Sequence, residues 1–139
     1  MGAAIADSGA NDDPRKLREM LGKAVDLASD HALHCVVVGL AGREGDLLFP
    51  EVIDFVESAL RVDDAIFRMT RERVVLFLAD VDRERAGEIV DRLLEGFRER
   101  FAPSVDASVE LGFFEIRPGA VGLTVKDVLP AVFTAGPSH

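Results

Sequence analysis

The chain has 139 residues, of which 48% are hydrophobic and 29% charged, a balance that fits one soluble, globular domain with a real core. Its 25 Asp and Glu against 16 Lys and Arg leave a formal net charge of −9, which argues against generic electrostatic attachment to nucleic acid or anionic lipid but not against a small anion held by local arginines. No apolar run approaches bilayer-spanning length and no signal peptide is visible, while the single cysteine, Cys35, lies in an apolar run; a disulfide framework is excluded and a reducing, cytoplasmic setting is expected.

Residues 1–11 are rich in Ala, Gly, Ser and Asn and read as a flexible tail, leaving 12–135 as a single domain. Asp13-Pro14 reads as a helix start, an N-cap followed by proline at the first helical position. Leu17, Met20, Leu21, Ala24, Val25 and Ala28 recur at helical spacing, and Ser29-Asp30-His31 breaks the pattern. His31 and His34 stand three apart with no Cys or carboxylate cluster beside them, too few ligands for a metal site. Leu33–Leu40 is a continuous apolar run, as in a strand covered on both faces. Ala41–Asp46 reads as a loop, and a helix follows through Leu60 with Pro50 in its first turn.

Next comes Arg61-Val62-Asp63-Asp64, then a strand through Ile66 to Met69, the charged turn Thr70-Arg71-Glu72-Arg73, and an apolar strand from Val74 to Leu78. Asp82 is placed to cap a long helix running to about Phe101 through Ala86, Ile89, Val90, Leu93, Leu94 and Phe97, and Pro103 stops it. Ser108–Ile116 reads as another strand, Pro118-Gly119 as a turn and Val125–Phe133 as a short helix. The order is an N-terminal helix, then β-α-β-β-α-β, then a short helix. It predicts an α+β fold with a ferredoxin-like, nucleotidyl-cyclase-like core: a mostly antiparallel sheet with two helices packed on one face and an extra N-terminal helix.

With these residues in place, the stretch from Gly45 to Glu115 resembles the GGDEF domain, the catalytic domain of diguanylate cyclases, which join two GTP molecules into cyclic di-GMP. Gly45-Asp46 stands where the family has Gly-Asp, Arg61-x-x-Asp64 at its inhibitory-site motif, Arg68 just before the signature turn, and Leu111-Gly112 in the Ser-x-Gly strand with Glu110 for the Ser. The departures are as informative. The turn Gly-Gly-Asp/Glu-Glu-Phe reads Thr70-Arg71-Glu72-Arg73-Val74, so the two glycines that let backbone approach the triphosphate are gone. Glu72 keeps one carboxylate position, but Val38-Gly39-Leu40-Ala41 supplies no second carboxylate for Mg²⁺. The family's guanine-reading segment is absent apart from Asp46.

The resemblance therefore implies a degenerate former active site (Asp46, Thr70, Arg71, Glu72, Arg73), no catalytic residue, no metal and no cofactor. It implies that the inhibitory site survives. There Arg61 would read the O6/N7 edge of a guanine, Asp64 would accept from the guanine N–H groups, Arg92 on the following helix would complete the site, and Arg68 would be auxiliary. The expected function is a catalytically inactive cyclic di-GMP receptor that signals through a protein partner or self-association, with no nucleic acid and no membrane. Each residue also has a plain structural explanation: Arg61 and Asp64 as a surface pair, Arg92 as an exposed helix residue. A nucleotide-independent docking or dimerisation module is the alternative, and residual GTP chemistry at Glu72 a third reading.

Overall fold

The computed structural model describes residues 13–43, 48–101, 109–119 and 122–133. The elements run α1 (Pro14–His31), β1 (Cys35–Ala41), α2 (Phe49–Ser58), β2 (Ala65–Arg68), β3 (Arg73–Ala79), α3 (Arg83–Phe101), β4 (Glu110–Ile116) and α4 (Val125–Phe133). The tail over 1–11, the closing residues 134–139 and the loop from Glu44 to Leu47 lie outside the described residues.

The strands form one four-stranded sheet in the order β2-β3-β1-β4, every pairing antiparallel. This is the order expected of a β-α-β-β-α-β chain, and the α+β fold is the one the sequence predicts. β1 is central, with Val37 opposite Phe77 on one side and Phe114 on the other. Its side chains alternate between two separate cores. Val36, Val38 and Leu40 join Val74, Leu76 and Leu78 under α2 and α3, where Val52, Ile53, Val56, Val90 and Phe97 close the layer. Cys35 and Val37 join Phe67, Val75 and Phe77 under α1 and α4, where Leu17, Leu21, Val128 and Val132 close the second layer.

Helices thus cover both faces of the sheet, two on each. The sequence reading put the pair α2 and α3 on one face; α1 and α4 supply the cover for the other. This second layer explains why β1 is apolar at every position although its sheet is antiparallel, a class that more often leaves one face in water.

The helix ends follow local chemistry. Asp13 caps α1 by accepting from the Arg15 backbone N–H at 2.9 Å. Ser29-Asp30-His31 forms the last turn of α1 rather than breaking it; the stop is Ala32, which takes the left-handed conformation (φ 54°). Asp82 caps α3 through the Arg85 N–H at 2.8 Å. Among the described residues, no helix is long and apolar enough to cross a membrane.

Candidate functional site

The Arg61–Asp64 loop joins α2 to β2 and sits beside the far end of β3. The last paired residues of β2 and β3 are Ala65 and Phe77, so the edge of Ala79 has no strand partner on that side. Side chains stand in for one. Asp64 Oδ1 accepts from the Ala79 N–H at 3.1 Å, and Arg61 Nη2 donates to the Ala79 carbonyl at 2.6 Å. The same two residues bind each other: Asp64 Oδ2 accepts from the Arg61 backbone N–H and Nε, both at 3.1 Å, and Oδ1 accepts from Nη2 at 3.2 Å. The loop is closed by the Asp64 N–H donating to the Arg61 carbonyl at 3.0 Å.

Counting donors and acceptors defines what is left. The Asp64 carboxylate accepts four hydrogen bonds, which matches its four lone-pair sites, and its side chain is only 5% exposed. The Arg61 guanidinium, 54% exposed, commits Nε and Nη2 to this clasp. Its Nη1 group, with two N–H donors, has no partner among the described residues. Hydrogen bonding to Asp64 raises the Arg61 pKa further, with the charges of Asp63 and Asp80 adding to it, so the guanidinium is held charged and fixed in orientation.

The other expected residues are placed differently. Arg92 is exposed on α3 and makes no hydrogen bond or ion pair with Arg61 or Asp64. Arg68 Nη2 bridges to Asp54 at 3.2 Å and Glu57 at 2.7 Å on α2 and is 17% exposed. It ties β2 to the helix before it. The structure therefore brings Arg61 and Asp64 together and does not join Arg68 or Arg92 to them.

The turn between β2 and β3 closes without glycine. The Met69 and Thr70 N–H groups donate to the Arg73 carbonyl at 3.0 and 3.1 Å, and Thr70 Oγ1 accepts from the Glu72 N–H at 3.2 Å. None of Thr70, Arg71, Glu72 or Arg73 takes a positive φ. The threonine hydroxyl serves the backbone here as a side-chain turn mimic. The Glu72 carbonyl accepts from the Gly42 N–H at 2.8 Å, tying the turn to the end of β1, and the Arg73 guanidinium lies over the Phe133 ring at 5.3 Å. Val38 and Leu40, beside this turn on β1, are fully buried in the α2–α3 core. Asp46 lies outside the described residues.

One contact went unread in the sequence. His34 Nδ1 and Glu115 Oε2 are 2.9 Å apart at the end of the sheet where β1 and β4 pair. His31, by contrast, is exposed at the end of α1. His31 ends α1 while His34 lies just before β1, and the useful partner of His34 is 81 residues away, beyond any spacing rule.

No protein-family model matches the chain, and no curated protein matches it in sequence. Solved structures do match. The FimX GGDEF domain of Pseudomonas aeruginosa superposes with a TM-score of 0.66 at 13% identity, covering 88% of each chain. The GGDEF domain of DgcB from Caulobacter crescentus, solved in complex with c-di-GMP, superposes with a TM-score of 0.63 at 12% identity over 81% of this chain and 78% of that one. PelD from Pseudomonas aeruginosa PAO1 gives a TM-score of 0.61 at 21% identity, covering 76% of this chain but only 39% of that one. The fold is that of the GGDEF domain. Within this fold, the Arg61–Asp64 clasp ties the loop before β2 to the unpaired end of β3.

Proposed function

We propose that this chain is a catalytically inactive GGDEF-like domain that binds cyclic di-GMP at the Arg61-x-x-Asp64 loop and passes the signal to a protein partner or to a second copy. The observation that carries the reading is the state of Arg61: a guanidinium locked in place by Asp64, with both Nη1 N–H groups directed away from its internal partners. A single nitrogen with two free N–H groups spans the O6 and N7 acceptors of guanine, as lysine does. Arg61 then reads the base and Asp64 aims Arg61, while Arg92 adds positive charge for the phosphates from α3. Asp64 itself has no acceptor left for a guanine N–H unless the clasp loosens. The GGDEF domain of DgcB, which shares this fold, is solved in complex with c-di-GMP, and a microbial GGDEF domain of the same fold interacts with cyclic di-GMP.

Inactivity rests on the residues of the former site. Thr70 and Arg71 place side chains where the triphosphate needs bare backbone, and Glu72 has no second carboxylate on β1.

Isothermal titration of the chain with cyclic di-GMP is the test. Binding that is lost in Arg61→Ala and weakened in Arg92→Ala is the expected result; no heat at high micromolar ligand overturns the reading. The alternative, a nucleotide-independent docking module, is favoured by one observation: the clasp is fully explained as an extension of β3. A pull-down partner retained by the Arg61→Ala, Arg92→Ala double variant would select it.

A further inference from the structure

On the side of the Arg61 loop that faces α1 there is a groove of about 400 Å³. Its floor and walls are apolar, with Met20, Ala24 and Leu27 from α1 facing Phe77 and Ala79 of β3. Val62 stands at its lip and is 96% exposed, the one large hydrophobic side chain that is exposed among the described residues. The groove's charges are segregated. Lys23 lies on the α1 wall, and Asp63 and Asp80 lie on the opposite wall. All three are exposed, and none of their side chains makes a hydrogen bond or an ion pair among the described residues; the Asp80 backbone is hydrogen-bonded to the Cys35 thiol.

We propose that this face is a self-complementary interface that pairs two copies of the chain about a two-fold axis. A two-fold interface uses the same patch on both subunits, so one patch must carry both a knob and a hole and both signs of charge. This patch does: Val62 is the knob, the Met20–Leu27 wall with Phe77 is the hole, and Lys23 faces the two aspartates. Rotation about the axis sets Val62 of each copy into the apolar groove of the other. It also sets Lys23 of each copy against Asp63 and Asp80 of the other. The mixture of charges argues for this occupant over a partner of one sign. A basic segment would meet Lys23, an acidic one would meet Asp63 and Asp80, and in either case like charges directly opposed disfavour the match. The pairing requires no nucleotide, and its overall repulsion is set by a net charge of −9 on each copy, so association strengthens from low to moderate salt before the local pairs are screened.

Sedimentation velocity of the full chain across a hundredfold concentration range, without nucleotide, tests the proposal. A concentration-dependent monomer–dimer equilibrium is expected. Val62→Ser and Lys23→Glu each weaken it at least tenfold, and so does Asp63→Lys. Lys23→Glu combined with Asp63→Lys restores it, because reversing both charges recreates the pair. Asp80 is neutralised as Asp80→Asn rather than reversed, since its φ of 61° is one that Asn and Asp tolerate and a long side chain does not; this variant weakens the dimer less than Asp63→Lys. Thermal melts of each variant keep loss of association apart from loss of fold. A monomer at every concentration, a dimer indifferent to these substitutions, or failure of the double charge reversal to restore the dimer in folded protein would each overturn it.

Discussion

Gly39 of β1 and Gly112 of β4 are directly opposite in the antiparallel register, and the backbone of Val132 in α4 fills the space above both. A Cβ at Gly39 would lie 2.7 Å from the Val132 carbonyl oxygen, and one at Gly112 would lie closer still. The glycine pair is therefore a seat that lets α4 press onto the sheet and close the second core. Any side chain here displaces the helix.

Gly112→Ala is expected to destabilise the fold by about 1–3 kcal/mol or somewhat more, the usual range for overpacking against a neighbour that cannot rotate away. Gly39→Ala should cost less, because its clash is less close. Urea denaturation followed by circular dichroism would give the two midpoints, and a Gly112→Ala midpoint equal to the parent would show that α4 does not depend on this seat.

Arg61 and Asp64 separate into a contact residue and a positioning residue, and the two make different losses. Asp64→Ala removes four accepted hydrogen bonds and strands the Ala79 N–H, for an expected loss of about 2–4 kcal/mol. Arg61→Ala removes a half-exposed partner, for about 1 kcal/mol, and leaves the Asp64 bonds to backbone intact. Cyclic di-GMP affinity should fall in the reverse order of these costs when Asp64→Asn is compared with Arg61→Ala, since asparagine keeps one oxygen for Nε or Ala79. Parallel denaturation and titration of the three variants would check the split.

Much of the fold was legible because hydrophobic period and chain order act locally. β1 as an unbroken apolar run, α3 capped by Asp82, and α4 from Val125 to Phe133 all stand where the pattern puts them. The end of α1 was not, since only the backbone at Ala32 decides it. The Thr124-x-x-Asp127 spacing at the start of α4, where Asp127 accepts from the Thr124 N–H and hydroxyl, is a helix-start signal that the sequence could have shown. At the site, the Arg61–Asp64 spacing was legible, but which of their atoms remain free was not. That depends on Ala79, which lies 15 residues beyond Asp64 and lacks a strand partner there because β2 begins only at Ala65. The partners of Arg68 were hidden for the same reason, because Asp54 and Glu57 belong to another element.

Placing glycines in the β2–β3 turn should not create a cyclase. In the variant Thr70→Gly, Arg71→Gly the turn loses the Thr70 hydroxyl that holds the Glu72 N–H, and β1 still offers only Val38, Gly39, Leu40 and Ala41 beside it. The expected result with GTP and Mg²⁺ or Mn²⁺ is product at the background level, read by chromatography of the nucleotides. Turnover that disappears in Glu72→Ala would instead assign residual chemistry to the turn.

Cys35 should behave as a core residue. It is 2% exposed, and burial pushes its thiol up from the ordinary value, which leaves little thiolate at neutral pH. Alkylation by iodoacetamide in native buffer is expected to be slower than in urea by orders of magnitude and to track global unfolding. Rapid native labelling would mean that β1 opens locally beside His34.

The acid limb of stability should be set in part by two helix caps. Asp13 accepts from the Arg15 backbone and side chain, and Asp127 accepts from the Thr124 N–H and hydroxyl; these bonds hold both carboxyls below the ordinary value of 3.8. A carboxyl whose folded pKa is depressed contributes its stability above the unfolded value and loses it as pH falls through the folded one. The caps therefore act fully at neutral pH and fade below pH ~4. Asp13→Asn with Asp127→Asn keeps an oxygen to accept the cap hydrogen bonds but removes the titration. Denaturant midpoints measured from about pH 6 to pH 3 should consequently fall less steeply in the double variant than in the parent, with the two curves converging at the acid end, and parallel curves would show that these caps do not carry the acid response.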